Sequence, residues 1–551
     1  MTEVRKARMW TALLGVALVG GCRFSPQKVD LVVRNATIHT MDGRGGQGQA
    51  MAIDSGRVVA VGKEYEVLNA YRGVETFDAK GQTIYPGLMD AHSHLIGYAQ
   101  GLDRVNAVGT ASWQEVVDLL EPRDGTGWVR GRGWDQNDWV DRSFPDRAKL
   151  DSLFPDRPVV LQRIDGHAVI ANGQALRQTG MMDATSVAGG EILRRPDGSP
   201  TGVLIDGAAD SLLSRIPSPS RAQTVAALRQ AERNLVRLGL TTVTDAGLDW
   251  PDLALLDSLH RSGALSLRVM AMANPTAENL EVMASRGGWD TPRLKAQSFK
   301  FYMDGALGSR GAALLEPYDD RPGHKGMVLQ DLPSYLDMLY QVKALGFQAC
   351  THAIGDSANR LVLDAYAEVL EGVNDERWRI EHAQVVHPQD MDRFEAYSVI
   401  PSVQPTHATS DMYWAGERLG RGRVRRAYAY QDLLGQLGML PLGTDFPVEG
   451  IDPRKTFLAA VARQDVKRYP TEGYHLDQGL TPEQALAGMT LWAAMSSHMD
   501  DELGSLEPGK WADFVVVDRD WLNLKDVHEV LNAQVLQTFI QGEPVWDADN
   551  P

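Results

Sequence analysis

The chain has 551 residues, of which 43% are hydrophobic and 23% are charged, and its formal net charge is −17. This length exceeds what one hydrophobic core usually organises, so the composition predicts a globular protein of more than one domain. The acidic balance argues against a nucleic-acid-binding protein, because such proteins need a basic face.

Residues 1–21 have the organisation of a lipoprotein signal peptide. Three basic residues precede an apolar run that is too short to span a membrane comfortably. Small residues then precede Cys22, as in a bacterial lipoprotein cleavage box, although an ordinary signal peptide with an incidental cysteine is the alternative. Lipidation of Cys22 would anchor the chain in the bacterial cell envelope, and by the same resemblance arginine at position 23 favours the periplasmic face of the outer membrane.

Short strands separated by Gly-rich turns are predicted at both ends of the chain, in segments 28–82 and 504–547. Strand-rich ends around an α/β middle indicate one small β domain, built from both termini.

The middle of the chain, 83–503, alternates β and α patterns, which predicts a (β/α)8 TIM barrel. Segment 96–238 follows the first predicted strand and is far too long for an ordinary βα loop. It is therefore expected to be an inserted subdomain that forms part of the substrate pocket's wall. Eight apolar runs, seven of which end in a polar residue, are the predicted barrel strands: 84–94, 241–245, 267–273, 298–304, 348–352, 379–382, 399–407 and 440–445.

Candidate metal ligands stand at the ends of several predicted strands. His92 and His94 are two residues apart, so a strand would direct both imidazoles to one side, where they can reach one cation. His352, His382 and Asp445 each end a separate predicted strand. Each could instead be a capped strand end. Because barrel enzymes keep their active sites at the C-terminal ends of the strands, the set predicts a metal centre.

Lys300 lies inside an apolar predicted strand, which is costly for a lysine unless it is paired or modified. One interpretation is a salt bridge with a buried acid. The other is carbamylation, in which a neutral, desolvated amine adds carbon dioxide and becomes a carboxylate that can bridge two metals.

Taken together, these residues resemble the binuclear centre of the amidohydrolase superfamily. The phrases PGLMDAHSH at 86–94, DGALGSR at 304–310, GTDFPV at 443–448 and DGH at 165–167 are similar to amidohydrolase family 3, which includes N-substituted formamide deformylases. The resemblance spans 28–547 and implies a (β/α)8 barrel with a small β-sandwich formed by both chain ends. By position it implies these metal ligands: His92, His94, Lys300, His352, His382 and Asp445.

The resemblance also implies a chemistry. Two divalent cations, taken as zinc, would share a bridging carbamylated Lys300, and hydroxide would attack the carbonyl carbon of a small-molecule amide. Asp445 would act as general base and then as general acid.

The expected partner is a small-molecule substrate, and no nucleic acid is expected. The oligomeric state stays open, and a homodimer is one possibility.

Four further residues are candidates for substrate binding: His167, His407, Arg310 and Trp134. Their alternatives are a packed surface histidine for His407, a structural ion pair for Arg310 and core packing for Trp134. Two rival functions also remain at this point. One is a mononuclear deaminase-type hydrolase on the same barrel, and the other is a non-catalytic solute-binding lipoprotein.

Overall fold

The structure, a computed structural model of the chain, describes residues 25–120, 127–164 and 166–550. The signal peptide expected at 1–21, the lipidation site Cys22 and Asp165 lie outside these residues. Within the described ranges, no helix combines the length and apolarity that a membrane crossing needs.

Seven parallel strands form the centre of the fold, and strands that follow each other in the chain lie side by side. They are almost entirely buried, as expected for strands that are covered on both faces. The TIM-barrel prediction is thus confirmed. We number the strands as barrel strands 1 to 7: Leu88–Ser93, Leu240–Leu248, Arg268–Ala273, Leu294–Tyr302, Gln348–Ala353, Arg379–His382 and Ile400–Ser402.

The eighth predicted strand, 440–445, is an irregular segment rather than a regular strand. Its Gly443 amide donates to the end of barrel strand 7, and its Asp445 amide donates to His92 O in barrel strand 1. Pro441 has no amide hydrogen to donate, and a Cβ at Gly443 would lie only 2.5 Å from the His92 nitrogen. The segment therefore closes the barrel without forming a full ladder, and it carries Asp445 to the barrel mouth.

The first predicted strand is divided at Gly87. Thr83–Pro86 joins a terminal sheet, whereas Leu88–Ser93 enters the barrel. A Cβ at Gly87 would lie 2.2 Å from Thr241 Oγ1, so only glycine allows the chain to pass this close to barrel strand 2.

The seventh predicted strand, 399–407, is shorter than expected and ends at Ser402. Pro405 starts a helix instead, as its fixed φ and missing amide hydrogen favour. His407 therefore lies in the first turn of a helix and not at a strand end.

Helices cover the outside of the barrel and bury apolar faces against it. Ser220 caps one of them through a capping box with Gln223. The helices that follow the barrel strands or pack on them are Leu95–Gly101, Arg221–Val236, Trp250–Arg261, Ala277–Arg286, Leu332–Ala344, Asp356–Leu370, Arg393–Ala396, Pro405–Asp411, Ala415–Arg423, Tyr430–Leu437, Pro453–Ala462, Pro482–Gly488 and Leu491–Met495.

Two further sheets are built from the chain ends and pack over a shared core that contains Ile38, Ile53 and Phe514. The first sheet consists of Arg57–Gly62, Ala50–Asp54, Gln27–Arg34 and Tyr71–Asp78, with helix Glu64–Ala70 beside it. The second unites both ends of the chain, in the order Glu543–Asp547, Val535–Ile540, Phe514–Val517, Thr83–Pro86, Thr37–His39 and Gln47–Gly48.

The segment between barrel strands 1 and 2 contains a six-stranded sheet with its own hydrophobic clusters. Helix Arg221–Val236 also lies in this segment, but its buried residues belong to the barrel core. The strands, in sheet order, are Gly190–Arg194, Pro200–Asp206, Ala168–Ala171, Val159–Arg163, Val129–Trp134 and Val105–Asn106, and the helices are Trp113–Asp118, Ala148–Leu153, Gly173–Gln178 and Gly207–Leu213.

Candidate metal centre

Four histidines surround the carboxylate of Asp445 at the C-terminal end of the barrel. Asp445 Oδ1 lies 3.1 Å from His94 Nε2 and 3.7 Å from His92 Nε2, and Oδ2 lies 3.6 Å from His407 Nε2. The ligand atoms of His92, His94 and Asp445 all lie within 4.8 Å of one another, and so do those of His382, His407 and Asp445. Either set could hold a metal ion.

The two remaining predicted ligands border the same cluster. The ring of His352 lies 4.5 Å from that of His382, measured between centroids. Lys300 Nζ lies 3.1 Å from His92 Nε2. All six residues that the resemblance proposed as ligands are therefore brought together at the barrel mouth.

The buried histidines are held in the neutral form, which leaves a lone pair free for a metal. Burial, with the nearby Lys300, lowers the pKa of His92 to about 4 and that of His352 to about 3. Burial and the nearby His352 also lower the pKa of His382 well below its usual value.

Asp445 is held as the anion. Burial by itself would raise its pKa, but the close contact with His94 and the electrostatic influence of the neighbouring imidazoles outweigh burial and lower it. Neutral imidazoles around one carboxylate are a donor set that suits a divalent metal such as zinc.

Three of these atoms form no hydrogen bond in the part of the chain that the structure describes. The Nε2 atoms of His352 and His407 and Oδ1 of Asp445 are buried without a hydrogen bond. Buried polar atoms are normally hydrogen-bonded, so unpaired atoms that face one point favour a bound ligand there.

The backbone at the site is also unusual. His382 and Asp445 have φ angles of 74° and 61°, in the left-handed region that residues with a side chain rarely adopt. The residues present therefore fit a divalent metal.

Lys300 is buried, with 1% of its surface exposed. Burial lowers the pKa of its amine, which increases the neutral fraction that carbamylation requires.

Glu381 and Arg379 support the centre and were not recognised as functional from the sequence. His92 Nδ1 contacts Glu381 Oε2. Arg379 Nε donates to Glu381 Oε1 at 2.7 Å, and Nη2 donates to Oε2 at 2.9 Å. Burial would raise the pKa of Glu381, but Arg379 and His92 hold it well below its usual range. Two opposite charges at alternate positions of a buried strand are the signal that could have revealed the pair.

Two other histidines also have their Nδ1 atoms occupied. His382 Nδ1 lies 2.7 Å from Gln404 Oε1, and His94 Nδ1 lies 2.9 Å from Ala246 O. These acceptors place the ring proton on Nδ1 and leave Nε2 as the donor to a metal.

Asp90 joins barrel strand 1 to the irregular segment that carries Asp445. Its carboxylate accepts hydrogen bonds from Thr444 N at 3.0 Å, Thr444 Oγ1 at 2.7 Å and His92 N at 3.1 Å. Burial raises the pKa of Asp90 to about 7, against the hydrogen bonds of Thr444. Asp90 thus positions two ligand-bearing segments at once.

The other predicted substrate-binding residues lie in different surroundings. The ring of Trp134 is fully buried in the insertion's core, and its Nε1 donates to Leu161 O, which is the packing role that the sequence left open. Arg310 forms a two-bond ion pair with Asp320, which is likewise its structural alternative. His167 is exposed, and its Nδ1 lies 3.0 Å from Asp206 Oδ1.

Comparison with known proteins supplies the family. Residues 75–546 match the model of an amidohydrolase family. The chain belongs to this amidohydrolase family. Over 542 residues it is 32% identical to the Arabidopsis thaliana protein LONG AFTER FAR-RED 3, covering 94% of this chain and 91% of that protein. It is 28% identical to N-substituted formamide deformylase of Arthrobacter pascens, covering 94% of this chain and 98% of that enzyme.

Among solved structures, this amidohydrolase is similar to an uncharacterized metal-dependent hydrolase of Pyrococcus horikoshii. The TM-score is 0.76 and the identity is 29%, covering 90% of this chain and 98% of that one. Family membership makes the protein a hydrolase of the metal-dependent amidohydrolase type, and it sets aside the reading of a lipoprotein that only binds a solute.

Proposed function

We propose that this amidohydrolase cleaves the C–N bond of a small amide, with Asp445 carrying a proton from water to the leaving nitrogen. The observation that carries the proposal is the convergence of neutral histidines on one buried carboxylate, with unpaired atoms facing each other. Similarity to an N-substituted formamide deformylase over nearly the whole chain supports an amide as the substrate.

We propose zinc as the metal, with two ions per chain, because imidazole and carboxylate are ligands that zinc commonly takes. Bound divalent cations supply Lewis-acid activation of the substrate carbonyl and of the attacking water. The proposed ligands are His92, His94, carbamylated Lys300, His352, His382 and Asp445.

The chain's own residues orient the ligands and move the proton. Glu381 and Gln404 hold the Nδ1 atoms of His92 and His382 and so direct the opposite nitrogens into the centre. Asp445 begins as a carboxylate and accepts the proton of the attacking water at a carboxylate oxygen. It then donates this proton to the leaving nitrogen as the C–N bond breaks, so that a carboxylic acid and an amine are released.

The side chain of His94 is 30% exposed, whereas that of His92 is fully enclosed. The centre is therefore open to solvent beside His94, and we propose that the substrate enters from this side.

Release of amine from a panel of N-formyl, N-acyl and cyclic amides tests the proposal. Zinc-loaded wild-type protein should hydrolyse members of the panel, and Asp445→Asn should reduce the rate by about 100-fold or more because it loses the proton carrier. Asp78→Asn, which alters the partly exposed Arg34 ion pair in a sheet of the chain ends, serves as the control.

Metal-loaded protein that releases no amine from any amide would contradict the amide assignment. Release of ammonia from an amino-substituted ring instead would support the deaminase-type alternative.

We also propose that lipidated Cys22 anchors the enzyme at the periplasmic face of the outer membrane. The supporting observation is the cleavage-box pattern before Cys22 in the sequence. Labelling with a radioactive fatty acid should mark the wild-type chain, and Cys22→Ser should abolish the label and release the protein from the membrane fraction. An unlabelled wild-type chain would contradict the anchor.

A further inference from the structure

We propose that His407 is a metal ligand, so that Asp445 joins two three-residue sets. His92 and His94 face Asp445 Oδ1, and His407, with His382, completes a second set that includes Oδ2. This inference rests on the metal-dependent function proposed above. It assigns to His407 a role different from the substrate or oxyanion contact that its sequence position indicated.

The distances around Asp445 are within about 0.4 Å of those between neighbouring ligands of a tetrahedral ion. With metal–ligand bonds of 2.0–2.1 Å, neighbouring ligand atoms of a tetrahedron lie roughly 3.3–3.4 Å apart. The distance from His407 Nε2 to Asp445 Oδ2 is 3.6 Å. The two predicted ligands His94 and His92 lie 3.1 and 3.7 Å from Oδ1. By this measure His407 is placed as well for ligation as His92.

His407 Nε2 has no other partner among the described residues. The side chain is 13% exposed, and its Nε2 is buried without a hydrogen bond. Leaving such a group unpaired in a buried position is unfavourable. A bond from Nε2 to a metal offsets that cost.

The chain positions His382 and His407 through one short segment. Gln404 accepts the hydrogen bond of His382 Nδ1, and its carbonyl accepts the backbone amide of His407. Pro405 between them starts the helix that carries His407. The two imidazole rings consequently lie nearly parallel, 15° apart, with centroids separated by 5.8 Å.

This arrangement leaves the proton chemistry of Asp445 intact. A carboxylate offers about four lone-pair sites on its two oxygens. One lone pair of each oxygen can therefore face its histidine set, and another remains available to accept a proton.

Measuring the metal content of His407 variants distinguishes a metal ligand from a substrate-binding residue. The full-length protein is stripped with dipicolinate, reloaded with cobalt(II) or zinc(II), desalted and analysed by plasma mass spectrometry. The His407→Asn variant should lose about one ion per chain relative to wild type and show weaker cobalt(II) ligand-field absorption. The His407→Glu variant, whose carboxylate reaches about as far from Cβ as the histidine Nε2 and can ligate a metal, should retain the wild-type content.

His387→Asn is the control, because His387 caps the turn Pro388–Asp390 and is not one of the residues around Asp445. In a second measurement, imidazole added to His407→Gly should restore the lost ion, which separates loss of a ligand from misfolding.

A His407→Asn variant with the metal content and cobalt spectrum of wild type would overturn the inference. If that variant differed from wild type only in a raised KM, His407 would be a substrate-binding residue instead. Failure of imidazole and of His407→Glu to restore the ion would overturn it as well. Wild-type protein that binds no divalent ion would instead refute the proposed function.

Discussion

Replacing Glu381 by glutamine should destabilise the folded protein strongly, because it leaves a buried guanidinium without its counter-charge. The side chains of Glu381 and Arg379 are both fully buried. In Glu381→Gln, Arg379 would keep its bonds to Ala91 O at 2.7 Å and Ser402 Oγ at 2.8 Å, but its positive charge would be uncompensated. Removing one partner of a buried ion pair costs about 3–5 kcal/mol.

Urea denaturation of the metal-free protein at pH 7 measures this cost without any contribution from metal loss. Asp320→Asn is the matched control, since its ion pairs with Arg310 and Arg418 are partly exposed and should each contribute only about 0–1 kcal/mol. Adding Arg379→Met to Glu381→Gln removes the uncompensated charge and should recover part of the lost stability.

The same ion pair also predicts how the free energy of unfolding changes with pH. Because the pKa of folded Glu381 is depressed, its stabilisation is complete above the unfolded value of about 4.3 and is lost as the pH falls below it. Wild type should therefore lose stability faster than Glu381→Gln on acidification from about pH 5. A loss of free energy of unfolding no larger than that of the Asp320 control, or a double variant less stable than the single one, would refute the reasoning.

Three other predictions follow from the site and its surroundings. Glu381→Gln should also weaken zinc binding by about 10–100-fold, because Glu381 orients the ring of His92. Competition with a chelating dye measures the zinc affinity, and an affinity equal to that of wild type would contradict this role. Burial raises the pKa of the Cys350 thiol to about 12, so mass spectrometry should find Cys350 unmodified after iodoacetamide treatment of the native protein and modified after unfolding; labelling of the native protein would contradict this. Chelation should abolish amidase activity and zinc should restore it in wild type but not in Asp445→Asn, whereas full activity in a chain shown to be metal-free would refute the metal requirement.

The sequence by itself predicted the barrel, which the structure confirms, and it predicted candidate metal ligands at the strand ends, which the structure brings close together. Apolar runs that end in His92, His352, His382 or Asp445 are local patterns, and a barrel brings all strand ends to one mouth. Local patterns also predicted the eighth strand, and there they were wrong in detail. Pro441 has no amide hydrogen to give to a ladder, and Gly443 passes barrel strand 1 so closely that no side chain would fit there.

Tertiary structure decided how the side chains meet. Glu381 reaches His92 across 289 positions of sequence, and Asp445 presents one oxygen to His94 and the other to His407. Likewise, only the packed structure encloses Trp134 in a core. Periodicity indicates which face of a strand a residue occupies, but barrel closure sets the distances between strands. Those distances, at the scale of a hydrogen bond or a metal bond, distinguish a ligand from a residue that supports one.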